Sequence, residues 1–300
     1  SGPFCAARVK GAGEDGRDGV QSGHMTAQLP ISHDTYCPPR ARGTVRLGTK
    51  AGPRGTVIDT LYQQGAAKAV FPRAAKGMTA VLLNTSGGVT GGDRFDYAAT
   101  AGPGTHLTLT TQACERAYRA LPGEAGRVET TLRVSDGATL WWLPQETLLF
   151  DGCALTRRPR CDLALSARAL IVEPICFGRL AMGEDSIHGT MSDRIEIARD
   201  GAPLGLDAWR LSGDIGAALA DAATGGGARA VFSLTYVAPD AEARLERLRT
   251  LAGPAGGASL LADDVLVLRL LAPSGYALRQ RRLPILDDLT GGELPLCWRL

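Results

Sequence analysis

Arg127-Val128-Glu129-Thr130-Thr131-Leu132-Arg133-Val134 alternates without a break. Val128, Thr130, Leu132 and Val134 fall on one side of an extended chain; Arg127, Glu129, Thr131 and Arg133 fall on the other. Successive side chains of a strand point to opposite faces, so this octapeptide predicts a strand with one face in a core and one in water. The same reading extends outward in both directions. Gly43–Lys50, Val57–Tyr62, Met78–Leu83 and Thr105–Thr111 precede it, and Ala138–Leu143, Cys161–Ser166 and Ala169–Cys176 follow. Arg194–Ala198 runs into Asp200-Gly201, a pair suited to a hairpin turn with left-handed backbone. Further strands are expected at Ala230–Val237 and Val265–Leu271.

Helices are few. Ala241, Leu245, Leu248 and Ala252 form one apolar stripe, with Asp240 as the N-cap and Gly253-Pro254 as the stop. A second helix over Tyr276–Leu289 would be broken or kinked at Pro284. A short one is expected at Ile215–Ala222. No internal repeat of fixed period and no long linker appear. The expected fold is mainly β: one curved, β-helix-like, multi-sheet domain of many short strands, with about two helices late in the chain. Doubly wound α/β folds are disfavoured, because they need a helix after almost every strand.

Composition fits that class. The chain has 300 residues, 38 of them glycine, and aromatic content is only 5%. A formal charge of +2 gives no nucleic-acid footprint. No apolar run approaches the ~18 residues of a membrane helix, and no secretory signal is evident. Residues 1–24 are Gly-rich and polar; Ser22-Gly23-His24-Met25 reads as a cloning remnant before a start methionine, or the stretch is a native disordered tail, leaving 25–300 as the β-rich domain. The seven cysteines (Cys5, Cys37, Cys114, Cys153, Cys161, Cys176 and Cys297) include no Cys-x-x-Cys pair. Reduced, mostly buried thiols in a cytoplasmic protein are expected.

Four segments could carry chemistry. Asn84-Thr85-Ser86-Gly87-Gly88-Val89-Thr90-Gly91-Gly92-Asp93 is either an anion nest or a tight turn between close backbones. It lacks the Gly-Lys-Ser/Thr ending of a phosphate loop, which favours the turn and leaves Asp93 free for a polar site. In Thr110–Arg119, Gln112, Glu115 and Arg116 form a buried polar cluster or an ordinary solvated face. Leu143–Gly152 sets Glu146 and Asp151 in an apolar run, with Arg157, Arg158 or Arg160 as candidate counter-ions. These carboxylates could be a hydrolase acid/base pair, although no nucleophile accompanies them, or the lining of a metal path. Glu173–Glu184 mixes Cys176, Met182 and carboxylates; Cys176 reads as core, and Arg179 pairs with Glu173, with Glu184 or with a partner protein. The histidines His24, His33, His106 and His188 do not cluster, so a tight metal site is unsupported. His106 is expected on the polar side of its strand, and His188 in a turn beside acidic residues.

At these four segments, in this order, the chain resembles the urease accessory D (also called H) family, from about Arg40 to Trp298. One departure is Asn84-Thr85-Ser86, where the family pattern has His-Pro-Pro. The resemblance implies a non-enzymatic, cytoplasmic scaffold of the nickel metallochaperone complex, needed to mature the urease metallocentre. It implies binding to an F accessory protein, through F to a nickel-carrying G-protein GTPase, and to the urease apoenzyme, and leaves room for a dimeric assembly through F. It also implies an internal tunnel carrying Ni2+ in transit, with no tightly bound cofactor. Carried over residue by residue, Asp93, Glu146, Asp151 and Glu184 would line that path, with Glu115, Glu173 and Arg179 as a secondary polar cluster. Two rivals remain: a β-rich hydrolase using Glu146 and Asp151, and a pure assembly scaffold that conducts no metal.

Overall fold

The computed structural model describes residues 39–299 apart from Ala75 and Asp185. The readings of residues 1–24, Cys5, Cys37, His24 and His33 lie outside the described residues. Elements are numbered in chain order. The first sheet contains β1 (Arg42–Gly52), β2 (Gly55–Gly65), β5 (Arg94–Ala101), β8 (Gly126–Val134), β11 (Cys153–Leu163), β13 (His188–Arg199) and β14 (Ala202–Asp214), in the spatial order β14-β13-β11-β8-β5-β1-β2. The second contains β3 (Ala67–Val70), β4 (Met78–Asn84), β6 (His106–Thr111), β9 (Thr139–Leu143), β12 (Arg168–Phe177), β15 (Ala230–Val237), β16 (Gly256–Ala262) and β17 (Val265–Ala272), in the order β16-β17-β15-β12-β9-β6-β4-β3. Two short strands, β7 (Glu115–Ala117) and β10 (Thr147–Leu149), extend it beside β12.

From β4 to β13 the long strands alternate between the sheets. Within each sheet the neighbours β1, β5, β8, β11 and β13, or β4, β6, β9 and β12, pair in parallel. A parallel pair needs a return connection, and here the intervening strand of the other sheet supplies it. The result is the expected β-helix-like winding. Val45, Phe95, Leu132, Leu155 and Ile197 of the first sheet pack on Leu82, Leu109, Leu140 and Ile171 of the second.

The second sheet is buried on both faces. Its outer side meets α2 (Ala241–Ala252) and α3 (Gly275–Thr290) through Leu143, Leu170, Phe232, Leu268, Leu248, Ile285 and Trp298. This explains why β12 and β15 read as nearly continuous apolar runs, whereas β8, β11 and β13 of the first sheet alternate; the edge strand β2 is exposed on both faces. A third helix, α1 (Ile215–Ala220), follows β14 and is capped by Asp214, which accepts from the Ala217 N–H at 2.9 Å.

Several expectations need correction. β5, β14 and the short strands β3, β7, β10 and β16 were not foreseen. β11 starts at Cys153, not Cys161, and runs through Pro159; its pairing with β13 skips Arg158 and Pro159, where a ring without an N–H can be tolerated. α3 continues past Pro284 instead of breaking. Asp240 sits at the α2 N-cap position, but its carboxylate accepts from Tyr236 Oη (2.8 Å) and Arg244 Nε (2.9 Å) instead of capping. The Asp200-Gly201 turn has φ of 47° and 77°, as the hairpin requires.

Candidate functional site

The glycine-rich loop joins β4 to β5 and is closed on itself. The Asp93 side chain is buried. Its Oδ1 accepts the Ala41 N–H at 2.7 Å and its Oδ2 the Thr90 N–H at 2.8 Å. Its carbonyl accepts the Arg127 N–H, and the Arg94 N–H donates to Ala41. One residue thus ties together the starts of β1, β5 and β8. The Val89 and Gly92 amides donate to Arg116 and Ala125, so the concavity that could have held an anion is filled by the protein's own groups. A side chain at Gly88 would put its Cβ 2.6 Å from the Arg116 carbonyl, which is the close backbone approach that the glycines permit. Asn84 Nδ2 donates to the Gly88 carbonyl (2.9 Å) and to Glu115 (3.1 and 3.2 Å). Burial pushes the Glu115 carboxyl up, against the Asn84 bond. Gln112 and Arg116 are exposed, so only Glu115 of that trio enters a buried setting.

The carboxylates of the next two segments each find a separate arginine. Glu146 pairs with Arg282 on α3, a fully buried guanidinium 4.7 Å from the Trp298 ring centroid. Asp151 pairs with Arg119 and accepts the His188 N–H at 2.9 Å. That amide, then Arg119, holds the Asp151 carboxyl below its usual range. Glu184 pairs with Arg179 and accepts its N–H at 2.8 Å, which lowers the Glu184 carboxyl. Arg179 also lies 4.2 Å from the Phe150 ring centroid. Arg157, Arg158 and Arg160 therefore are not the counter-ions of Glu146 and Asp151, and Arg179 chooses Glu184 over Glu173. Glu146 and Asp151 lie on either side of β10, and each faces its own arginine, not the other carboxylate. His188 opens β13 instead of occupying a turn; its ring is exposed, 3.9 Å from both Asp151 and Asp214.

Between the sheets lies a polar cluster that the sequence reading only half found. Arg157 of β11 donates to Thr147 Oγ1 (2.8 Å) and pairs with Glu173 of β12 (2.8 Å) and Asp193 of β13. Trp142 Nε1 donates to Glu173 at 2.8 Å. All three charged side chains are almost completely buried. Burial works against the Arg157 charge, but Asp193 and then Glu173 outweigh it and lift its pKa. Burial also raises the Glu173 carboxyl; Arg157 opposes this and Asp193 adds to it. Two carboxylates share one cation, and Asp193 Oδ1 has no hydrogen-bond partner among the described residues. Arg157 and Asp193 carried a usable signal: each falls on the inward parity of its strand, between Leu155 and Cys161 and between Met191 and Ile195. The outer face of β6 is also less polar than expected. His106 stacks edge-on against Trp141, with ring centroids 4.4 Å apart. Among the described residues no group of three or more His, Cys, Asp or Glu could hold a metal ion, and no helix is long and apolar enough to cross a membrane. Cys153, Cys161 and Cys176 are buried and free; Cys114 and Cys297 are free and partly buried.

The model of the UreD urease accessory protein family matches residues 41–294, which span both sheets and α1 to α3. The chain belongs to this family. It is 49% identical over 262 residues to the urease accessory protein UreD of Roseobacter denitrificans, covering 87% of this chain and 96% of the relative. It is 49% identical over 257 residues to that of Ruegeria pomeroyi, covering 85% of this chain and all of the relative. It is 40% identical over 281 residues to that of Agrobacterium fabrum, covering 93% and 96%. Identity over such lengths means the family's fold is the frame in which the arginine-paired carboxylates and the interior cluster sit.

Proposed function

We propose that this chain is a non-catalytic accessory protein of urease maturation that works in the cytoplasm. In this reading it holds the urease apoenzyme together with the F accessory protein and, through F, the G-protein GTPase that carries nickel. The observation that carries it is the family match across residues 41–294. The site chemistry agrees with a scaffold. Glu146, Asp151 and Glu184 are each neutralised by an arginine, and the Asp151 carboxyl is lowered, which is the wrong direction for a general acid.

The Arg157–Glu173–Asp193 cluster favours a nickel path as a second element of the same reading. An excess carboxylate between the sheets would attract a divalent cation, and competition from Arg157 would keep the contact weak. Asp93, Glu146, Asp151 and Glu184 would meet the ion singly, with Glu115, Glu173 and Arg179 around them. Weak contacts suit cargo that must be released.

The test is co-purification with the F and G proteins, followed by nickel-dependent activation of apo-urease. Failure to co-purify with either partner overturns the scaffold. Unchanged activation by a folded Glu146→Ala/Asp151→Ala variant under limiting nickel removes these residues from the path and leaves a pure assembly scaffold.

A further inference from the structure

The outer face of the first sheet carries a row of like charges. Arg42 of β1 lies directly opposite Arg94 of β5, and Arg94 directly opposite Arg127 of β8. All three side chains are exposed. None has an ion pair or hydrogen-bonded side-chain partner among the described residues. Neighbouring strands are ~4.8 Å apart, so the row packs three positive charges into about 10 Å. Like charges directly opposite one another destabilise a sheet. The row is also held in place: Asp93 binds the start of each of these strands through the Ala41 N–H, its own link to Arg94 and the Arg127 N–H. Beside it opens a polar cleft of about 340 Å³, lined by Arg42, Thr44, Gln64, Arg94 and Asp96.

We propose that this arginine row is a docking surface for an acidic helix of a protein partner. The geometry selects the helix. Carboxylates at i, i+3 and i+7 span about 10 Å at 1.5 Å per residue, matching the row, and lie 5–6 Å from one another. On an extended peptide, same-face positions fall ~6.8 Å apart and drift out of step. The next row of the sheet places Asp96 opposite Glu129. Those two repel a continuous phosphate backbone, but they suit basic residues flanking the acidic stripe of a helix. A second copy of this chain is a poor occupant. Of its α2 and α3 carboxylates, Glu246, Asp287 and Asp288 are already paired, with Arg249, with Arg299 and with Arg244 and Arg247, and Glu242 alone makes no stripe. The proposal rests on the scaffold reading only for the partner's place in the urease assembly; the surface chemistry stands independently.

The experiment titrates the full chain with a fluorescein-labelled, alanine-rich helical peptide bearing Glu at i, i+3 and i+7 flanked by Lys, read by anisotropy. Controls are a scrambled peptide of equal composition, a short DNA duplex and inorganic phosphate. Arg42→Glu/Arg94→Glu/Arg127→Glu should weaken binding of the striped peptide about tenfold or more, since three attractions become repulsions. Arg133→Glu/Arg158→Glu/Arg194→Glu, an equal charge change on the same face, should change it less than about twofold. If the first variant does not fold, Arg42→Gln/Arg94→Gln/Arg127→Gln replaces it, with the same order of effects. Equal loss in both triple variants, equal binding of the scrambled peptide or DNA, or complete competition by phosphate overturns the proposal. So does a self-associated form of the chain that the row variant abolishes. Failure of the wild-type chain to support urease activation strikes the scaffold reading alone; wild-type-like peptide binding by the row variant strikes this one alone.

Discussion

Replacing Arg157 by Met leaves Glu173 and Asp193 facing each other between two sheets, with 3% and 2% of their surfaces exposed. Removing one partner of a buried ion pair destabilises by about 3–5 kcal/mol, because the remaining charge is desolvated and uncompensated. Here the remainder is two carboxylates, so the upper part of that range is expected. For a body of this size, each kcal/mol shifts Tm by about 2–4 °C, which gives a loss of roughly 6–20 °C. The effect should depend on pH with a defined sign. The Glu173 carboxyl is raised in the folded state, so folding takes up a proton as pH rises above the usual carboxylate range, and stability falls as pH increases through that window. Arg157→Met should steepen this fall, and Glu173→Gln, which keeps an acceptor for Trp142, should flatten it. Urea denaturation followed by tryptophan fluorescence and circular dichroism measures both. Arg158→Met, one residue away on the exposed face, is the control and should leave the midpoint in place. The reasoning is refuted if Arg157→Met costs under about 1 kcal/mol, or if its loss is the same at low and neutral pH.

Glu146→Ala strands the fully buried Arg282 and should destabilise by about 3 kcal/mol; adding Arg282→Met should recover most of it, read as the urea midpoint of the double variant. Asp93→Ala removes the acceptor of two backbone N–H groups and should cost about 2–3 kcal/mol, with faster hydrogen exchange at the Ala41 and Thr90 amides. His106 is pushed down to about 4 by burial and by Lys76, so the unfolded chain binds the extra proton, and stability should fall as pH drops from 6.5 towards 4. An NMR titration of the His106 ring, and loss of that slope in His106→Gln, check it. Burial pushes the thiols of Cys153, Cys161 and Cys176 up to about 11, 12 and 12. Site-resolved iodoacetamide labelling at pH 8 should therefore modify these three far more slowly in the folded chain than in urea.

Much of this protein was legible from its sequence. The alternation in Arg127–Val134 identified the inward face of β8, and the glycine spacing marked the loop as a tight turn. The apolar stripe at Ala241, Leu245, Leu248 and Ala252 gave α2 to the residue. Arg157 and Asp193 fall on the inward parity of β11 and β13, but the strands expected at Cys161–Ser166 and Arg194–Ala198 stop short of both. What parity cannot supply is the partner across the gap. Arg157 meets Glu173 because β11 and β12 lie in opposite sheets, and it meets Asp193 because β13 joins β11 in register. Glu146 finds Arg282, 136 residues away, because α3 packs over the second sheet. The row of Arg42, Arg94 and Arg127 is likewise scattered over 86 positions and becomes one feature only through parallel pairing. Backbone preference and hydrophobic period act within a few residues and are written locally, whereas charge pairing depends on distance in space. Where the alternation is unbroken, as in Arg127–Val134, the sequence by itself determined which side chains face in and which face out; only the stacking of the two sheets and the helices decided which charges are neutralised and which are left open for another molecule.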